Sequence, residues 1–252
     1  MNFLEKILAE KAIEVENMPL EEVNQVKTRP SFYETVKKNP EKVHLLGEIK
    51  RASPSKGNIN TEIDILAQAK KYQTAGVSGI SVLTDEVFFK GSIEDLKSVS
   101  EVVDVPLLCK DFIIDQKQLI RAKNAGASMI LLIVAALTKA KLTELYRAAR
   151  ALDLEVLVET HDGEELAIAQ ALGAAIIGVN NRSLKTFDVS IATSETLAPE
   201  PSEILYISES GFKTADDVAR VAKAYDAVLV GETLMRAEKA KEVAQALQVS
   251  RV

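Results

Sequence analysis

The sequence predicts a closed (β/α)8 TIM barrel, and three observations carry that expectation. Short runs rich in Val, Ile and Leu alternate with longer segments of helical period, eight times along the chain. The runs are apolar throughout, as in parallel strands covered by helices. Several helical segments end on a glycine that leads straight into the next run, at Gly76, Gly126 and Gly173. Such a joint suits a left-handed residue closing a helix. Eight units of this kind fit the roughly 250 residues typical of the barrel. A doubly wound open sheet is the alternative, but no G-x-G-x-x-G follows the first run.

In order, the predicted strands are VHLLGEI (43–49), ISVLT (80–84), VPLLC (105–109), MILLIV (129–134), EVLVET (155–160), AIIGVN (175–180), EILYIS (203–208) and AVLVG (227–231). Amphipathic segments at 63–76, 117–126, 142–153 and 164–173 supply connecting helices, and a sixth helix near 189–197 has the weakest pattern. Residues 1–40 precede the first strand and are expected to form a helical extension packed on a barrel spanning 41–252. No Pro/Gly/Ser-rich linker interrupts the series, so one domain is expected.

Composition narrows the function. The formal net charge of −6, with no basic face to offset it, argues against nucleic acid or an anionic membrane as partner. A local basic pocket for a small anion remains open. Cys109 is the only cysteine, so no disulfide can form within the chain and a reducing, cytoplasmic setting is expected. The acidic N-terminus does not read as a signal peptide, and the longest apolar stretch, 129–137, is too short to span a bilayer.

Barrels of this class gather their reactive groups at the C-terminal ends of the strands. Here those ends read Glu48 and Lys50, Thr84-Asp85, Lys110-Asp111, Glu159-Thr160, Asn180-Asn181-Arg182, Glu209-Ser210-Gly211 and Gly231-Glu232. Glu48 and Lys50 are two apart, so both point to one side of their strand. Any one polar strand end is ordinarily where a strand meets solvent. Lys50, Lys110, Glu48, Glu159, Glu209 and Asn180 on one rim point instead to a polar pocket. Cys109 abuts Lys110, faces the other way and reads as core. His44 and His161 lack metal-ligand spacing and a paired nucleophile, so both read as structural or surface residues.

Motifs at these ends then identify a relative. GEIKRASPS (47–55), LTDEVFFKGS (83–92), CKDFIID (109–115), ILLIVAAL (130–137), LVETH (157–161), GVNNRSLKTF (178–187), SESG (208–211) and VGETLM (230–235) occur in order. Together they resemble indole-3-glycerol-phosphate synthases along nearly the whole chain. The resemblance implies a lyase of tryptophan biosynthesis with no cofactor and no metal. It implies ring closure, decarboxylation and dehydration of 1-(2-carboxyphenylamino)-1-deoxyribulose 5-phosphate.

By motif match, Lys110 would be the general acid of ring closure, with Glu159 and Asn180 orienting the substrate. Glu48 and Lys50 would serve dehydration, and Glu209 and Ser210 would complete the polar ring. Lys50, Ser53, Ser210, Gly211, Gly231 and Glu232 would hold the phosphate, though a carboxylate at Glu232 is odd there unless its backbone makes the contact. Phe89, Phe112, Leu131 and Leu184 would line the anthranilate pocket, with Arg182 meeting the substrate carboxylate. Phe212 stands where the family pattern has a smaller aliphatic residue, and residues 1–40 match least.

A monomer is expected, with association to other tryptophan enzymes left open. The rival readings are an aldolase-like barrel using Lys110 or Lys50 as an imine-forming amine, a non-catalytic or re-engineered scaffold, and the related phosphoribosylanthranilate isomerase. The intact polar set argues against a scaffold, and the isomerase would not need the second lysine.

Overall fold

Eight parallel strands close on themselves in the computed structural model, which describes residues 2–251. They are β1 (His44–Ile49), β2 (Gly79–Leu83), β3 (Leu107–Lys110), β4 (Met129–Ile133), β5 (Glu155–Thr160), β6 (Ile176–Asn180), β7 (Leu205–Glu209) and β8 (Ala227–Val230). Each pairs with its neighbours in sequence, and β8 closes on β1 through registers such as Leu46 with Leu229. The barrel is the one predicted, each strand lying within two residues of its predicted run. The helices Ile65–Thr74, Gln116–Asn124, Lys139–Ala151 and Gly163–Ala171 cover the outer face, and the weak sixth helix is one short turn, Ala192–Thr196. The three joint glycines have φ of +78, +88 and +77°, as helix closure in the left-handed region requires.

Alternation hidden inside the apolar runs decides what reaches the site. On β3, Leu107 and Cys109 pack outward against the helices, while Leu108 faces the barrel interior. Lys110 continues the inward row. On β7, Leu205 and Ile207 face inward and Glu209 follows them at the top. The inward positions therefore read apolar at the base and charged at the mouth. Burying each large aliphatic side chain in the inner layer contributes about 1.5–3 kcal/mol, so the charged rim stands on a well-packed floor.

Residues before β1 close both ends of the barrel. Helix α1 (Phe3–Asn17) starts at a reciprocal cap in which Asn2 accepts from the Glu5 amide and Glu5 accepts from the Asn2 amide. Its Phe3, Leu4 and Ile7 reach the upper mouth. Helix α2 (Phe32–Lys37) plugs the base, burying Phe32 and Val36 against the inner layer. Glu155, at the foot of β5, accepts from the Phe32 and Tyr33 amides and from the Ser31 hydroxyl, fixing the start of α2. Gly79 makes room for the plug, since a Cβ there would lie 3.0 Å from the Phe32 ring.

Candidate active site

A cavity of about 570 Å³ opens at the C-terminal mouth, and every residue predicted for the site, from Glu48 on β1 to Glu232 after β8, lines it. The strands deliver these side chains by the inward row: Glu48 and Lys50 from β1 and its end, Lys110 from β3, Glu159 from β5, Asn180 from β6 and Glu209 from β7.

Two ion pairs sit on the cavity floor. Lys50 Nζ lies 2.5 Å from Glu48 Oε1, and Lys110 Nζ lies 3.1 Å from Glu159 Oε2 and 3.5 Å from Glu209 Oε2. Burial alone would push the Lys110 ammonium toward neutrality. The carboxylates of Glu159, Glu209 and Glu48 outweigh that cost and hold its pKa well above the ordinary lysine value. Burial likewise would raise Glu159, but Lys110 and His161 hold it below the usual carboxylate range. Glu209 goes the other way. Burial, together with the charge of Glu159 beside it, raises its carboxyl to about 8 despite Lys110. One ammonium between two buried carboxylates leaves the second with its proton.

That asymmetry gives a stability prediction. Between the ordinary carboxylate value and about 8, the folded chain holds a proton on Glu209 that the unfolded chain has lost. Any stability from this group is therefore complete at low pH and fades as pH rises through that window. Glu209→Gln mimics the neutral acid, so it should gain on the parent chain by about 1–3 kcal/mol between pH 5 and pH 8. Urea unfolding at the two pH values measures it, and a pH-independent difference would contradict the assignment.

Two glycines make room for these carboxylates. A Cβ at Gly178 on β6 would fall 2.1 Å from Glu209 Oε1, and one at Gly231 would fall 2.4 Å from Glu48 Oε1 and 3.2 Å from Lys50 Nζ. Gly231 thus carries a demand beyond the backbone contact expected from sequence. Gly231→Ala should lower kcat about tenfold through the displaced ion pair as well as raise KM. Steady-state kinetics separate the two effects, and a change in KM alone would leave only the backbone role.

At the far side of the mouth, the chain leaves β7 through two consecutive left-handed residues, Ser210 (φ +69°) and Gly211 (φ +100°). The turn is braced from outside by Asn181, which donates to the Ser208 hydroxyl and the Ser210 carbonyl. After β8, Gly231 starts the short helix Glu232–Arg236. Arg236 Nε donates to Glu232 Oε1 at 3.1 Å, so the carboxylate that is odd beside an anion has a cation of its own. Lys50, Ser53 and Lys213 also line the cavity.

The apolar side holds Phe89 and Phe112, their rings 6.0 Å apart and tilted by 37°, with Leu131 and Leu184. Arg182 donates to the Ser55 hydroxyl and the Phe187 carbonyl, tying the loop after β1 to the loop after β6 at the cavity edge. Asn180 Oδ1 accepts from the Arg182 amide, which fixes the carboxamide's orientation.

Sequence reasoning missed several participants. His161 is neither at the surface nor idle: its Nε2 lies 3.2 Å from Glu159 Oε1 and its Nδ1 3.0 Å from Glu165 Oε2. Burial would lower its pKa, but these two carboxylates raise it to about 10, so it stands behind Glu159 as a cation. Its i+2 spacing from Glu159 was the available signal. Phe3 was also missed. It packs edge-on against Phe88 and Phe187, at 5.4 and 5.1 Å, and roofs the aromatic side. His44, by contrast, is structural, its Nδ1 and Nε2 meeting Ser78 and the Asn39 carbonyl. Cys109 is buried among the outward-facing core residues.

Comparison with known proteins adds an independent line. Residues 4–247 match the family model described as indole-3-glycerol phosphate synthase. The chain is 60% identical over 252 residues to the indole-3-glycerol phosphate synthase of Listeria welshimeri, with all of both chains covered. It is 51% identical over 252 residues to that of Lactococcus lactis, covering 99% of this chain and 96% of the relative. Among solved structures, tryptophan synthase subunit alpha from Legionella pneumophila superposes with a TM-score of 0.62 at 14% identity, covering 86% of this chain and 95% of the other. Thiamine phosphate pyrophosphorylase from Pyrococcus furiosus gives 0.60 at 15% identity, covering 83% and 95%. At such identities these two share the fold. Among the described residues no helix is long and apolar enough to cross a membrane.

Proposed function

We infer the chemistry from one premise, that the chain belongs to the indole-3-glycerol phosphate synthase family. It is a carbon–carbon lyase of tryptophan biosynthesis, acting on a phosphorylated small molecule. The reaction closes an indole ring on 1-(2-carboxyphenylamino)-1-deoxyribulose 5-phosphate, with loss of carbon dioxide and water.

The observation that carries the division of labour is the Lys110 ammonium held at the cavity floor between Glu159 and Glu209. Ring closure draws electron density onto the ketone oxygen as the aromatic carbon attacks, and a buried ammonium is placed to supply the proton. Glu159 keeps that ammonium charged, and His161 keeps Glu159 charged in turn. Loss of carbon dioxide restores the aromatic ring. Loss of water needs a base and an acid together, which Glu48 and Lys50 supply as a contact pair. Glu209, seated over Gly178, completes the polar floor beside Lys110.

Around this centre, Phe89, Phe112, Leu131 and Leu184 take the aryl ring, and Arg182 with Asn180 takes its carboxylate side. Lys50, Ser53 and the backbone of Ser210, Gly211, Gly231 and Glu232 take the phosphate. One chain supplies every one of these residues, which supports an enzyme working as a monomer, and the net charge of −6 and single cysteine support a cytoplasmic one without nucleic acid or membrane as partner. The imine-forming alternative is disfavoured by the same electrostatics, because a lysine held protonated is a poor nucleophile.

The test is direct. The chain contains no tryptophan, so indole fluorescence appearing on incubation with the carboxyphenylamino substrate comes from product. Steady growth of that signal, with no loss of activity on borohydride treatment in the presence of substrate, is the expected result. Silence, or trapping of Lys110 or Lys50, would overturn the reading.

A further inference from the structure

We propose that Lys11 is a positioning residue, its ammonium locking α1 to the two loops that carry the aromatic wall and so setting affinity for the aryl half of the substrate. The proposal rests on the substrate reading above.

Lys11 is 1% exposed, on a helix whose other inward residues are apolar. Phe3, Ile7 and Lys11 recur every four residues, so all three fall on the face turned to the barrel. The ammonium has three protons and meets three carboxylates: Glu14 Oε2 at 2.6 Å, Asp111 Oδ1 at 2.8 Å and Asp85 Oδ2 at 2.9 Å. Arg121 reaches the same cluster, 2.8 Å from Glu14 and 3.7 Å from Asp111. Surface ion pairs are worth little, but a desolvated cation among carboxylates cannot be removed without leaving buried charge unpaired.

The two aspartates are also the hinges of the wall. Asp85 follows β2, and its Oδ1 accepts from the Phe88 amide at 2.7 Å, starting the single turn Glu86–Phe89 that presents Phe89. Asp111 follows β3, and its Oδ1 accepts from the Phe112 amide at 2.8 Å while Oδ2 accepts from the Thr84 hydroxyl at 2.6 Å. Phe89 and Phe112 are the two rings in contact across the cavity. Phe3, two turns before Lys11, packs on Phe88. One buried cation therefore ties the roof and both rings together, while touching neither the phosphate side nor the Lys110 cluster.

That separation makes the proposal testable. Lys11→Met keeps the length of the side chain and removes its charge. Anthranilate, followed by its own fluorescence, should bind about tenfold more weakly to the variant, and KM for the full substrate should rise by a similar factor. The kcat should stay within about threefold, and inhibition by inorganic phosphate within about twofold. Adding Asp85→Asn, which keeps the capping oxygen but removes the stranded charge, should bring anthranilate affinity part of the way back. Should Lys11→Met not fold, Asp85→Asn alone carries the test, with a smaller loss of anthranilate affinity at unchanged phosphate inhibition. Unchanged anthranilate binding, or anthranilate and phosphate weakening in parallel as in a general loosening, would overturn the proposal. A parent chain that binds anthranilate but makes no indole product would instead fall on the substrate reading.

Discussion

Lys110→Met turns over about 10²–10⁴ times more slowly than the parent chain while KM moves only a few-fold. Two features of the site set those expectations. Among the described residues the Lys110 ammonium is the one cation within 3.5 Å of both Glu159 and Glu209, and His161, 3.2 Å from Glu159, does not line the cavity and so is not placed to replace it. The phosphate and aryl contacts proposed above come from side chains and backbone other than Lys110, so ground-state binding should survive the loss. The variant should also unfold more readily, since removing one partner of a buried ion pair typically costs about 3–5 kcal/mol. Glu209 softens that cost, because its raised pKa lets it stay protonated beside Glu159. The loss of stability should therefore be milder at pH 6 than at pH 9, where Glu209 would have to ionise next to the Glu159 carboxylate with no ammonium between them. Rapid-quench measurement of ring closure with unfolding curves at both pH values checks the prediction. A variant that closes the ring at the parent rate would remove Lys110 from the acid role.

Much of this arrangement was legible in the chain, and the reasons for what was not are physical. Helix-closing glycines and apolar runs gave the barrel, because both signals are local. The polar strand ends gave the rim for the same reason. Beyond the Glu48/Lys50 and Cys109/Lys110 pairs, which residue of each run faces inward could not be read, since strands buried on both faces show no alternation. Charge balance at a distance was also out of reach. Lys11 looks like a solvated lysine in a helix rich in charge, and only the fold brings Asp85 and Asp111 to it. Gly178 looks like an ordinary strand residue, and Gly231 like a backbone contact for the phosphate, until the carboxylates of β7 and β1 occupy the space a Cβ would need. His161 reads as structural or surface because it lacks metal-ligand spacing and a paired nucleophile, and neither test looks for the carboxylates that it meets. Apart from His161, whose partners are two and four residues away, each miss concerns a group whose role is set by a neighbour far along the chain.

Glu48→Gln should close the ring and then stall. In the parent chain Glu48 is 4% exposed, its Oε1 rests on the Lys50 ammonium, and the missing side chain of Gly231 leaves that oxygen its room. Gln keeps the shape and can still accept from Lys50, but it cannot take a proton. Under the roles proposed above, ring closure would draw on Lys110 across the cavity, whereas dehydration needs a base beside an acid, for which the Glu48–Lys50 pair is placed. The expected result in a single turnover is a species heavier than product by one water, accumulating as the final step slows by about 10² or more. If the pair served only to order the loop Arg51–Gly57, the variant would lose affinity or stability and no such species would build up. Chemical-quench mass spectrometry distinguishes the outcomes, and the same experiment on Lys110→Met should show substrate alone. Two variants blocked at successive steps would divide the cavity floor into two acid–base centres, Lys110 with Glu159 for the ring and Lys50 with Glu48 for the water.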